Sequence, residues 1–264
     1  MAEAEAAAVS AVAIALLMLT TWMISGLVKD ASIVDLIWGF GFVLVAWTVL
    51  YFSAPMGTRG WLLVILTTVW GLRLSIYLTK RNLGKGEDFR YQAMRRKHGE
   101  RFFVVSLGTV FGLQALLMWV ISLPLQAGIG ASDPGVGVSL LDSVGTALWT
   151  VGLFFEAAGD WQLARFKADP ANQGKVMDRG LWRYTRHPNY FGDLCVWWGF
   201  YLIAAAGGAW WTAVGPILMS ALLIRYSGAG LLEKTIGKRR PGYDEYVRRT
   251  NGFFPGPPRK ASHD

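Results

Sequence analysis

The chain has 264 residues, of which 53% are hydrophobic and 13 are tryptophan, and its mean hydropathy is positive. That excludes an ordinary soluble domain and predicts an all-α, polytopic membrane protein read as a single domain, 1 to 264. The net charge of +8 would suit nucleic acid in a soluble protein, but the basic residues fall between apolar segments rather than in one patch, so no nucleic-acid partner is expected. One cysteine, Cys195, excludes a disulfide framework, and His98, His187 and His263 have no ligand-like spacing, so no metal is expected.

Residues 6 to 28 are almost wholly apolar, run past signal-peptide length without a convincing cleavage site and read as a retained first helix. Further spans are expected at about 31 to 52, 60 to 80, 105 to 127, 139 to 158, 190 to 207 and 209 to 226, seven in all. Lys and Arg concentrate in 80 to 101, 165 to 187 and 225 to 260, which hold 23 of the 26 basic residues. With seven spans these segments share a face, so the positive-inside rule predicts a cytoplasmic C-terminus and an external N-terminus. The expected location is a membrane crossed several times, the inner membrane of a bacterium.

Two charged residues interrupt the early spans. Asp35 sits in the second and Arg73 in the third, where each is costly unless paired or set in a polar cavity. A helix-bridging pair between them is one reading. The other makes these two helices the wall of a substrate cavity with Trp38, Trp70 and Arg73 as substrate-binding candidates, while Asp35, if protonated, or Tyr77, one turn beyond Arg73, donates to a substrate carbonyl.

The densest polar stretch is Gly180-Leu-Trp-Arg-Tyr-Thr-Arg-His-Pro-Asn-Tyr-Phe-Gly-Asp193, at the mouth of an apolar run. An interfacial belt explains Trp182, Arg183 and Tyr184 but not Asn189 and Asp193. Pro188 favours a first helical turn, so a helix is expected to open at Asn189. The segments 80 to 101, 159 to 189 and 227 to 260 mix cations, aromatics and carboxylates, as a phosphorylated dinucleotide requires. Arg165, Lys167, Lys175, Arg179, Arg186, Lys238, Arg239 and Arg240 suit phosphates; Trp182, Tyr184 and Tyr246 can stack; Asp160, Asn189 and Asp193 suit ribose and amide. No GxGxxG fingerprint accompanies them, so a nicotinamide cofactor would be held without a Rossmann fold.

The stretch 180 to 193, preceded by Asp160-Trp-Gln-Leu-Ala-Arg-Phe-Lys167, resembles the steroid 5α-reductase family, in particular the bacterial members grouped under a domain of unknown function. The resemblance spans about 30 to 255. It implies a seven-helix membrane fold, NADPH bound from the cytosol and reduction of the Δ4 double bond of a 3-oxosteroid. Residues matching Asp160, Asn189 and Asp193 are those the family places at the cofactor, with a Glu at the last position; Lys167 and Lys175 keep the charge near the diphosphate, and Tyr184 matches a motif aromatic. Related sterol reductases share Arg186-His187-Pro188-Asn189-Tyr190 and a C-terminal acid and tyrosine that resemble Glu233 and Tyr246. The family's carbonyl-holding Glu and Tyr match loosely: Asp35 is the candidate carboxylate, and Trp70 stands where the Tyr aligns. The implied chemistry is hydride delivery to the β carbon of an enone with a donor at the carbonyl oxygen. The implied partners are a hydrophobic small molecule entering from the bilayer, and membrane lipid; no obligate protein partner is evident. The open alternatives are an isoprenylcysteine carboxyl methyltransferase-like enzyme using S-adenosylmethionine, a sterol C14 or C7 reductase, and a non-catalytic lipid-binding protein.

Overall fold

A computed structural model describes residues 1–53, 56–226 and 241–259. Among these residues every regular element is helical and none is a strand. The helices are α1 (Glu3–Val28), the single turn α2 (Ile33–Leu36), α3 (Trp38–Ser53), α4 (Thr58–Asn82), α5 (Phe89–Ile121), α6 (Leu123–Gly130), α7 (Leu140–Ala168), α8 (Pro188–Ala206), α9 (Trp210–Arg225) and α10 (Tyr243–Arg249). Four of them, α1, α4, α5 and α7, are long and apolar enough to cross a membrane; α3 and α9 are shorter apolar helices. The chain divides into two compact units, Met1–Asp142 with Ile203–Gly215, and Ser143–Leu202 with the residues from Pro216 onward.

In the first unit α3 packs along α4, and α1 and α6 pack against α3. The expected second span, 31 to 52, is interrupted at Ile37. Just past the interruption α3 and α4 approach closely: a Cβ on Gly71 would lie 2.5 Å from the Gly39 carbonyl oxygen, and one on Gly39 would lie 2.3 Å from the Gly71 oxygen. At that approach the Phe40 N–H donates to Ser75 Oγ across the helix pair (2.8 Å). The expected fourth span, 105 to 127, also differs. Helix begins at Phe89, widens to π geometry over Leu107–Gly112 and breaks at Ser122, because Pro124 has no N–H for the preceding turn. Gln126 Nε2 makes good part of that loss by donating to the Trp119 carbonyl (2.8 Å) and to Ser122 Oγ (2.8 Å).

At the other end of α4, Arg59 and Asp142 form a two-pronged ion pair, Nε to Oδ1 at 2.8 Å and Nη2 to Oδ2 at 2.9 Å. Both side chains are buried, and Ser139 adds its N–H and hydroxyl to Asp142 Oδ2 (2.7 Å each). Neither charge has water available to replace the other.

In the second unit α7 and α8 run antiparallel along a glycine seam. Gly145, Gly152 and Gly159 recur every seven residues on α7. A Cβ on Gly199 would lie 2.7 Å from the Gly145 oxygen, one on Gly192 would lie 2.5 Å from the Gly152 oxygen, and Gly159 abuts Pro188 and the Asn189 N–H. Packing without a hydrophobic driving force favours such small-residue contacts between helices in lipid. The helix α7 continues ten residues past the expected end at 158, since Ala, Leu, Gln and Arg are strong helix formers and Phe166 is buried, and Asp169-Pro170 stops it. Asp160, Arg165 and Lys167 thus project from a helix rather than from a loop.

Gly192→Ala has no room and is expected to destabilise the detergent-solubilised protein by about 1–3 kcal/mol, as overpacking does. Gly108, whose Cβ position is open, should tolerate Ala, and thermal melts compare the two. Asp142→Ala, which strands a buried guanidinium, should cost about 3–5 kcal/mol, with much of that recovered in Arg59→Met/Asp142→Leu.

Candidate functional site

The stretch 180 to 193 folds back onto α7. Gly180 takes φ +58, and a Cβ there would meet Gln162 Oε1 at 2.5 Å, so both backbone conformation and space require glycine. That approach lets the Leu181 N–H donate to Gln162 Oε1 (3.0 Å) and the Trp182 indole N–H to the Gly159 carbonyl (3.1 Å). Pro188 then opens α8, as expected from its preference for the first turn. Because the glycine seam closes there, Asn189 Nδ2 reaches Asp160 Oδ1 (3.1 Å), while Asn189 Oδ1 accepts from the Tyr190 N–H (3.1 Å). Asp160 is 4% exposed and Asn189 is half-buried. Asp193, half-buried, lies one turn along α8 on the face that carries Asn189. His187 is buried with its ring stacked on Tyr190, centroids 5.6 Å apart.

The C-terminal segment is laced to this loop. Arg186 Nη1 donates to the carbonyls of Val247 (3.2 Å) and Thr250 (2.9 Å), Thr185 Oγ1 donates to the Phe253 carbonyl (2.8 Å), and Arg249 pairs with Asp178. Tyr246 donates its hydroxyl to the Trp182 carbonyl (2.6 Å), and burial pushes that hydroxyl well above the usual phenol range. Arg186, Trp182 and Tyr246, expected at phosphate and adenine, therefore hold the loop's own frame. Tyr184, 45% exposed, keeps an open ring. Arg165 lies over the Trp161 ring (5.4 Å), and Lys167, Lys175 and Arg179 are exposed. A cleft of about 460 Å³ opens at the end of α7, lined by residues including Phe166, Lys167, Asp169, Asn172 and Gly174. Glu233 and Arg239, with Lys238 and Arg240, lie outside the described residues.

In the first unit Asp35 does not pair with Arg73. It accepts from Arg90 Nη2 (2.8 Å) and Tyr91 Oη (2.9 Å), because the break at Ile37 places it in α2, facing the start of α5. Gln114 Nε2 donates in turn to Tyr91 Oη (3.2 Å). Arg73 lies 5.9 Å from the Tyr77 ring centroid, with Arg81 at 5.6 Å, so the shared helix face expected of Arg73 and Tyr77 is present. Trp38, Phe42 and Trp70 form an aromatic row with centroids 5.5 and 5.7 Å apart, and Trp70 is fully buried. Nearby, Glu87 receives the Ala31 N–H (2.9 Å) and two bonds from Arg95 (2.9 and 2.8 Å). Burial alone would raise its pKa, but the Arg95 and Ala31 hydrogen bonds and the Arg95 charge outweigh it and hold the carboxyl below its ordinary 4.5.

A family model described as a protein of unknown function, DUF1295, matches residues 21–250, which takes in both the Asp160–Asn189 pair and the Asp35 cluster. The chain belongs to the DUF1295 family. It is similar to an uncharacterized protein of the fission yeast Schizosaccharomyces pombe, C594.04c, at 23% identity, over 89% of this chain and 75% of the yeast protein. No solved structure matches it.

Two sets of polar residues in this DUF1295 chain went unread in the sequence. Glu156, 3% exposed, sits one turn before Asp160 and against Gly192; a second carboxylate at i−4 in an apolar helix was the available signal. Arg90 and Tyr91 become partners of Asp35, and Gln114 of Tyr91, only once α5 is folded, and nothing in their spacing announces it.

The Glu87 clamp makes a pH prediction. Its folded pKa lies below the unfolded 4.5, so its stabilisation is complete above about 4.5 and lost as pH falls through the depressed folded value. The protection factor of the Ala31 amide against hydrogen exchange should fall over that range in the wild type; in Glu87→Gln it should be low already at neutral pH and lack that acid-dependent fall.

Proposed function

We propose that this DUF1295 protein is an NADPH-dependent reductase of the steroid 5α-reductase type, reducing the Δ4 double bond of a 3-oxosteroid or a similar hydrophobic enone. The observation that carries the reading is the Asn189–Asp160 hydrogen bond at the head of the glycine seam: two of the residues that the family resemblance assigns to the cofactor, 29 positions apart in sequence, meet in space. The donor set fits the group. Lys167, Lys175, Arg179 and Arg165 offer exposed positive charge for the phosphates of a dinucleotide, Tyr184 an open aromatic face, and Asp160 with Asn189 an acceptor and an amide for ribose or carboxamide. Glu233 and Arg239 are proposed to complete this set. When bound, NADPH supplies a hydride.

The chain's own residues have defined tasks in this reading. Asp160 fixes the Asn189 amide so that it need not reorient on binding. The Trp182, Arg186 and Tyr246 bonds keep the loop from 180 to 187 in register with the C-terminal segment, which lowers the ordering cost of closing on a ligand. His187, stacked on Tyr190, sets the entry of α8. Asp35 accepts at both oxygens, so it serves as a positioning residue for Tyr91 and Arg90. Carbonyl donation falls to Tyr77, whose ring lies beside two guanidinium groups able to stabilise negative charge developing near its hydroxyl. Trp38, Trp70 and Arg73 are proposed on the substrate side, with the substrate arriving from lipid. The same proposal places the chain in the bacterial inner membrane with seven spans, α3, α8 and α9 adding to the four long ones, N-terminus outside and C-terminus in the cytoplasm.

NADPH binding and NADPH oxidation with progesterone or androstenedione, measured on the detergent-purified protein, test the reading. Asn189→Ala and Asp193→Ala are each expected to weaken NADPH binding about 10- to 100-fold, the loss of one hydrogen bond involving a charged group, and to abolish turnover. Absence of NADPH binding by the wild type would sink the proposal, and binding of S-adenosylmethionine in its place would favour methyl transfer.

A further inference from the structure

The first unit carries a second concave feature, unrelated to the proposed cofactor residues. Between the end of α1 and the start of α5 lies a groove of about 380 Å³, within the size range of small-molecule sites, lined by residues that include Met23, Leu27, Lys29, Arg95 and Phe103. Its apolar wall continues a stripe down α1: Val12, Leu16, Leu19, Met23 and Leu27 recur at helical spacing and are 43 to 84% exposed. On a helix long and apolar enough to cross a membrane, such a stripe is the face turned to lipid. Two cations stand at the end of that stripe. Arg95 is anchored by Glu87 and by the Lys29 carbonyl (3.3 Å), so its position is fixed while its charge is partly matched. Lys29 is exposed, and Arg96, Lys97 and Arg101 follow Arg95 in sequence.

Lys29 has a further peculiarity. It takes φ +55, the one non-glycine residue with positive φ among those described, at the C-terminal cap of α1, where glycine adopts the same conformation without steric cost. A lysine kept in a strained conformation beside an apolar groove suggests that the side chain is needed there. We infer that this groove binds an anionic phospholipid, with an acyl chain along Met23, Leu27 and Phe103 and the headgroup phosphate at Lys29 and Arg95. The floor is rigid: Trp22 stacks on Phe103 (4.3 Å) and its indole N–H donates to the Phe103 carbonyl (3.0 Å). A groove apolar at one end and cationic at the other matches a molecule with the same polarity along its length, and free phosphate would satisfy only the cationic end.

Native mass spectrometry of the full chain, released from detergent with phosphatidylglycerol or phosphatidylcholine present, tests this. One phosphatidylglycerol should be retained in preference to phosphatidylcholine. Lys29→Gly, which suits the backbone and removes the charge, should weaken that retention about fivefold, the contribution of one basic residue near an anionic surface, while raising thermal stability. Leu27→Ser should weaken it too, and Lys85→Gln, in the loop before Glu87, should leave it unchanged. Equal retention of the two lipids, equal retention by the wild type and Lys29→Gly, or displacement of phosphatidylglycerol by inorganic phosphate would overturn the inference. None of these readouts depends on NADPH.

Discussion

Two helices surrounded by lipid gain little by hiding apolar side chains from each other, since the hydrocarbon around them is equally apolar. What holds them is close contact between backbones, and that needs residues without side chains at the crossing. The α7–α8 pair is joined by such contact, with Gly145, Gly152 and Gly159 on one helix and Gly192 and Gly199 on the other. The polar chemistry of the second unit depends on it. Only where the seam closes at Gly159 does the first turn of α8 come near enough for Asn189 to reach Asp160, and for the loop before it to hang on Gln162 and the Gly159 carbonyl. The first unit repeats the device at Gly39 and Gly71, just past the interruption at Ile37 that leaves Asp35 in α2 with Arg90 and Tyr91 as partners.

Buried charge in this molecule is handled in two ways. Arg59 and Asp142 are matched prong for prong with Ser139 completing the shell, an arrangement that satisfies both ions and leaves nothing for a ligand. Asp160 and Glu156 are buried carboxylates on a helix whose facing residues include an amide, Asn189. An amide carries both donor and acceptor, so the second arrangement can exchange partners at smaller cost than the first.

Several cations of the basic segments are occupied by the protein itself. Arg186 donates to carbonyls of the C-terminal segment, and Arg90 to Asp35 and Asp88. Arginine suits such work because its fixed fork satisfies two acceptors at once. The density of basic residues in a segment thus overstates the positive charge it can offer to a phosphate.

The amino-acid sequence alone determined the helical class and the presence of several membrane-length apolar helices, because long apolar runs leave few alternatives to a helix. It also determined the start of α8 at Pro188 and the candidacy of Asp160 and Asn189, whose polarity is conspicuous against apolar neighbours. Tertiary structure alone decided the partners. Asp35 pairs with Arg90 instead of Arg73 because the interruption at Ile37 places it in α2, facing the start of α5; α7 runs on to Ala168 because Phe166 finds a buried position; Arg186 and Tyr246 turn inward because the C-terminal segment lies against the loop. Side-chain pairing across helices depends on which backbones touch, and in this protein that was written in glycines, residues whose meaning lies in what they allow to approach.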